Sequence, residues 1–176
     1  MSASNGLRDR IRETACRRGT FHLPTGQVIN EYFDEFLLAA DPALLRDVAE
    51  EMAGLIPPDT EALVGVELGG VPLAVALSAA SGVPVAFMRK AQKSYGTLRR
   101  VEGEPVYGKR VVIVDDVIRS GSQVLQAADV LRELGAQVTT AMCVVDRGLD
   151  GGARLAGERI ALQALLESVD LETARM

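Results

Sequence analysis

Residues 111–122 read Val-Val-Ile-Val-Asp-Asp-Val-Ile-Arg-Ser-Gly-Ser. Four apolar β-formers in a row make a buried strand. Two adjacent carboxylates stand where that strand ends, then a short loop of small residues, then the start of a helix. A strand–turn–helix of this kind restricts both fold and ligand. Asp115 and Asp116 can accept hydrogen bonds from the vicinal hydroxyls of a ribose. Ser120, Gly121 and Ser122 keep side-chain bulk low, so backbone N–H groups at the helix N-terminus can surround a phosphate. The stretch suits a phosphorylated sugar. An ordinary turn with a solvated Asp pair is the bland alternative, and the ordered combination of strand, acids and Ser-Gly-Ser weighs against it.

The rest of the chain alternates in the same way. A charged helix is expected over residues 7–18, and Pro24-Thr25-Gly26-Gln27 marks the turn of a hairpin. Asp41-Pro42 is a helix start, with Asp as N-cap and Pro at the first helical position. Leu44, Leu45, Val48, Ala49, Met52 and Leu55 repeat with helical period. Strands are expected at 62–66, 84–88, 111–114, 137–145 and 160–166. Helices follow Gly69-Gly70 and Ser122, ending at Gly82 and Gly135. Residues 89–109 show no core pattern and read as a long functional loop. Strands alternating with helices imply a parallel sheet covered on both faces. Ligands then bind beyond the carboxyl ends of the strands. Glu67 to Gly70, Arg89, Asp115-Asp116 and Asp146-Arg147 all fall at such ends.

Composition sets the outer limits. At 176 residues the chain is expected to be one domain. No apolar run approaches the ~20 residues of a membrane span, and the first ten residues lack a signal-peptide pattern. A cytoplasmic location is expected, with no membrane partner. The net charge of −5 disfavours nucleic acid. Between Arg89 and Arg110, seven basic residues stand against two acids, so a segment of +5 sits in a remainder of −10. Such an island suits a small anionic ligand. Cys16 and Cys143, placed in a helix and a buried strand, are expected to remain free thiols. A single histidine, His22, leaves no basis for a His-rich metal site or a catalytic triad.

These residues resemble a specific family. The stretch from Val111 to Ser122 is similar to the phosphoribosyl-diphosphate (PRPP) signature of type I phosphoribosyltransferases. Over roughly residues 15–170 the chain resembles the orotate phosphoribosyltransferases. Gly19-Thr20-Phe21, Thr25-Gly26 and Tyr32-Phe33-Asp34 resemble the family's hood. Leu68-Gly69-Gly70-Val71-Pro72 resembles its diphosphate loop. Arg89-Lys90-Ala91-Gln92-Lys93-Ser94-Tyr95-Gly96 resembles its mobile catalytic loop.

The resemblance implies a parallel sheet flanked by helices, with a hood of about residues 1–40 plus the C-terminal segment on a core of about 41–150. It implies transfer of ribose 5-phosphate from PRPP to orotate, with Mg²⁺ carried mainly by PRPP and facing Asp115 and Asp116 through water. Lys93, Arg89 and Asp116 would be catalytic. Lys90, Tyr95, Gly69, Gly70, Asp115, Val117, Ile118, Arg119, Ser120, Gly121, Ser122 and Gln123 would complete the PRPP site. Arg147, Arg119, Tyr32 and Phe33 would hold orotate. A homodimer with Lys90 reaching the neighbouring subunit is also implied. The chain departs from the family at Tyr95, where His is usual, at Arg119, where Thr is common, and at Pro24 and Gly70, where Lys is common. Transfer to another heterocycle, or a non-catalytic PRPP sensor, are the alternatives. Two guanidinium groups, on Arg147 and Arg119, favour a carboxylated base, and Lys93 argues against a sensor.

Overall fold

The computed structural model describes residues 3–22, 26, 28–91 and 99–171. The chain starts with α1 (Asn5–Ala15), capped by Ser4, whose hydroxyl accepts from the Leu7 N–H. Leu7, Ile11 and Ala15 recur every fourth residue and are buried. The helix stops three residues earlier than its charge pattern suggested. Cys16 opens a strand instead, because its backbone pairs with Phe33. β1 (Cys16–His22) and β2 (Val28–Phe33) form the expected antiparallel hairpin, with a register shift between Arg18 and Phe21. A short helix not anticipated, α2 (Glu35–Ala40), follows under an Asp34 cap. Asp41 caps α3 (Pro42–Ala53) as read, accepting from the Ala43 and Leu44 N–H groups at 3.0 Å each.

The core is a run of strand–helix units: β3 (Ala62–Val66), α4 (Gly70–Ser81), β4 (Val85–Met88), β5 (Val101–Gly103), β6 (Arg110–Val114), β7 (Val117–Ile118), α5 (Ser122–Glu133), β8 (Gln137–Asp146), α6 (Gly151–Gly157), β9 (Ala161–Glu167) and α7 (Ser168–Leu171). β4, β3, β6, β8 and β9 are consecutive parallel neighbours, and β5 lies antiparallel on the β4 edge. β5 corrects the reading of residues 89–109 as one structureless stretch. Its three residues pair with β4, Val101 packs against the core, and Val106 beyond them is buried.

The sheet is covered on both faces, so its inner strands are apolar without alternation. Leu63, Val112, Val114, Met142 and Val144 face a core shared with α1, α3 and α4. Ala62, Val64, Val111, Ile113, Ala141 and Cys143 face the other, filled by Val124 and Leu131 of α5 and Leu155 of α6. The hairpin and the C-terminus join the first core through Phe33, Leu165 and Leu171, and Arg8 pairs with Asp170. Cys16 and Cys143 are free thiols. Among the described residues no helix is long and apolar enough to cross a membrane.

Candidate active site

β6 does not simply end at Val114. The chain keeps pairing with β8 through β7, and the acid pair sits in the break between the two strands. Asp115 N–H donates to the Met142 carbonyl at 3.0 Å, and the Asp116 carbonyl accepts from the Val144 N–H at 3.0 Å. The two carboxylates turn back on local backbone. Asp115 Oδ1 accepts from the Asp116 N–H at 3.1 Å, and Asp116 Oδ1 from the Val117 N–H at 2.7 Å. Asp115 is buried. Burial, and then the charge of Asp116, push its pKa from 3.8 up to about 8.

A cavity of about 380 Å³ opens here, lined by Glu35 and the unbroken run Asp115 to Val124. Asp115, Asp116, Val117, Ile118, Arg119, Ser120, Gly121, Ser122 and Gln123 are thus brought together as anticipated. Glu35 was not foreseen. It lies on α2, and only the fold brings it over the acids. Burial, and then the Asp116 and Asp34 charges, raise its pKa against a lowering backbone hydrogen bond and Arg119.

Helix termini set the polarity of this cavity. Side chains cap α1, α2 and α3, whereas α4 and α5 begin at Gly69 and Gly121 with no side-chain cap. At α5 no side chain competes with a ligand for the first N–H groups, whereas in α4 the Val71 N–H donates to the Leu68 carbonyl at 3.1 Å. Gly121 has φ of 70°, and a β-carbon there would crowd the Gly151 carbonyl at 3.2 Å. The β3–α4 turn packs equally closely on β6. A β-carbon on Gly70 would lie 2.3 Å from the Val114 carbonyl oxygen. No side chain fits there on this backbone.

The basic island divides in two. Lys109 pairs with Glu104, and Arg110 with Asp59 and Glu61, at the amino end of β6. Both cations are thus paired with local carboxylates. Arg89, Lys90 and Arg100 line a second cavity of about 310 Å³, which shares Ser122 and Gln123 with the first. Arg100 was read as part of the basic island, without a role of its own. It donates towards the Arg89 and Lys90 carbonyls at 3.4 and 3.5 Å, while Glu67 accepts from the Lys90 N–H at 2.8 Å. The Nε of Arg89 is buried with no hydrogen-bond partner among the described residues. Lys93, Tyr95 and Pro24 lie outside the described residues.

Arg147 sits in a third cavity, of about 220 Å³, with Cys16, Glu31 and Phe33. Its N–H donates to the Ile118 carbonyl at 2.8 Å, which ties it to the loop after the acid pair. Asp146, a possible partner, instead accepts from the Gly148 N–H at 2.9 Å. Burial, and then the like charge of Arg119, lower the Arg147 pKa. Arg119 lines the first cavity, and its charge also acts on Glu35 and Tyr32. Tyr32 packs against Phe21 with ring centroids 5.4 Å apart. Phe33 is a core residue, 2% exposed, that forms a wall rather than a free contact.

A family model for the phosphoribosyl transferase domain matches residues 38–160. An orotate phosphoribosyltransferase of a Nocardioides species is 43% identical over 164 residues, covering 93% of this chain and 92% of that protein. One from Halobacterium salinarum is 40% identical over 172 residues, covering 97% and 98%. The solved structure of Mycobacterium tuberculosis H37Rv orotate phosphoribosyltransferase superposes with a TM-score of 0.88 at 26% identity, covering 96% of this chain and 98% of that one.

Proposed function

The chain belongs to the orotate phosphoribosyltransferases, and from that premise we propose how its residues divide the reaction. It transfers ribose 5-phosphate from PRPP to orotate, giving orotidine 5′-phosphate and diphosphate. The bond from ribose C1 to the diphosphate oxygen breaks, a bond from C1 to a ring nitrogen forms, and that nitrogen loses its proton.

One observation carries the assignment of roles: a single cavity lined without interruption by Asp115 to Val124. The uncapped N-terminus of α5 and the Ser120–Ser122 loop take the 5-phosphate. Asp115 and Asp116 accept hydrogen bonds from the ribose hydroxyls. The diphosphate lies towards the Gly69-Gly70 turn and the cavity of Arg89, Lys90 and Arg100. Lys93 and Tyr95 are assigned beside it on sequence grounds. Charge grows on the diphosphate as it leaves, and fixed cations that meet that charge lower the barrier.

Among the described residues no group of three His, Cys, Asp or Glu side chains is arranged to hold a metal alone. Asp115 and Asp116 are oxygen donors that would suit Mg²⁺ carried by PRPP, through its water shell. When bound, that ion would offset diphosphate charge. Arg147 and Arg119 take the orotate carboxylate, Arg147 as a planar fork, with Tyr32 and the Phe33 wall beside the ring. A cytoplasmic homodimer, with Lys90 reaching its neighbour, completes the reading on the strength of the resemblance.

The test is a panel of bases supplied with PRPP and Mg²⁺, with diphosphate release measured for each. Orotate should be the preferred acceptor, with uracil and adenine poor. Preference for adenine or another base without a carboxylate would overturn the assignment of Arg147 and Arg119.

A further inference from the structure

We propose that Arg154 is a positioning residue for the 5-phosphate, acting through the Ser120–Ser122 loop from behind. Arg154 is on α6, an element no site residue was expected from. Its Nη1 donates to the Ser120 carbonyl at 2.7 Å and to Ser122 Oγ at 3.0 Å, across 34 and 32 residues of sequence. Ser120 Oγ and Ser122 Oγ lie 3.0 Å apart, so one guanidinium organises both serines.

The backbone of α6 is fitted to the same loop. A β-carbon on Gly151 would lie 2.5 Å from the Arg119 carbonyl oxygen, and one on Gly121 would lie 3.3 Å from Leu155 Cγ. Leu155 is fully buried, which fixes the helix that carries Arg154. Among the described residues the guanidinium forms no ion pair; its partners are a carbonyl and a hydroxyl.

Two consequences follow for a phosphate in this loop. The Ser120 carbonyl is held towards α6, so its dipole does not oppose the anion, and the loop N–H groups remain free to donate. A positive charge uncompensated by a carboxylate also stands directly behind the phosphate site. That charge matters here because the carboxylates of Asp116 and Glu35 line the same cavity and would repel a dianion. Arg154 therefore sets how tightly the 5-phosphate end of the substrate is gripped, without touching the reacting atoms.

The inference rests on the 5-phosphate occupying this loop, and the test separates the two ideas. Calorimetry would compare orotidine 5′-phosphate with inorganic diphosphate on the wild-type chain and on Arg154→Ala, Arg154→Gln and Arg154→Lys. Loss of a charge-assisted contact should weaken orotidine 5′-phosphate about tenfold in Arg154→Ala. Diphosphate affinity should stay unchanged, and the KM for PRPP should rise while kcat holds. Arg154→Lys should recover part of the loss and Arg154→Gln less, since charge is shared by the first alone. Should Arg154→Ala fail to fold, the Lys and Gln variants carry the same comparison. Unchanged orotidine 5′-phosphate affinity, or equal losses for both ligands, would overturn the role of Arg154. A wild-type chain that binds diphosphate but not orotidine 5′-phosphate would overturn the placement of the phosphate itself, and the inference with it.

Discussion

The carboxylate of Asp116 occupies the space a side chain on residue 69 would need: a β-carbon on Gly69 would lie 1.5 Å from Asp116 Oδ2. The β3–α4 turn and the acid pair therefore pack as one unit, and each fixes the position of the other. Gly69→Ala should displace Asp116 or shift the turn. A displacement of about 1 Å in such a site costs ~10²-fold in rate. Steady-state kinetics with PRPP varied would show the loss. Activity within a factor of two of wild type would mean that this contact does not set the geometry of catalysis.

Asp115 should make the ligand-free protein less stable as pH rises. Its folded pKa, about 8, is raised above the ordinary 3.8. The folded state then holds a proton that the unfolded state releases, so the part of the stability that Asp115 governs is full below about pH 4 and is lost progressively up to about pH 8. Asp115→Asn carries no such proton. It should unfold at a higher temperature than wild type at pH 8, with the gap closing as pH falls towards 5. A gap that does not vary with pH would contradict the buried, protonated state of Asp115. Stabilisation together with lost PRPP use would mark a site residue maintained against stability.

Arg147 should read the carboxylate of the base. Its cavity holds Cys16, Glu31 and Phe33, with Glu31 the carboxylate among them. Arg147→Ala should raise the KM for orotate by roughly 10–100-fold, the range for losing a hydrogen-bonded charge pair, and leave the KM for PRPP nearly unchanged. Uracil should be a poor substrate of wild type and suffer little further. Equal losses for both bases would remove Arg147 from base recognition.

Lys93 carries the prediction that rests on sequence alone. Lys93→Ala should lower turnover by ~10²–10³ with PRPP binding largely kept. Mixing Lys93→Ala chains with Asp116→Asn chains should restore activity if Lys93 acts across a dimer, because one site of each mixed dimer is then free of both changes. Absence of recovery after demonstrated subunit exchange would place Lys93 in its own subunit's site.

Much of this site was readable because parallel strands buried on both faces appear as unbroken apolar runs. β3 and β6 stand out for that reason, and residues just past them fall at the sheet's binding edge. Asp41-Pro42 was readable because a cap acts within three residues. What was missed depends on distant partners. β5 has one apolar residue in three and exists through its pairing with β4. α1 gives way at Cys16 without a Gly or Pro, because the hairpin partner decides there. Glu35 and Arg154 are ordinary surface residues in sequence, and only packing brings them to the cavity or the loop; Arg100 was visible as a charge of the basic island but not as a wall of a cavity. The reverse held for Lys109 and Arg110, whose charges are spent on neighbouring carboxylates.

The central claim is that the acid pair and the loop after it hold PRPP. Calorimetry of PRPP with Mg²⁺ on wild type and Asp116→Asn tests it most directly. Asp116→Asn keeps the shape and removes the charged acceptor, so affinity should fall by roughly 10–100-fold while the unfolding temperature stays within a few degrees. Unchanged PRPP affinity in a folded Asp116→Asn chain would contradict the account.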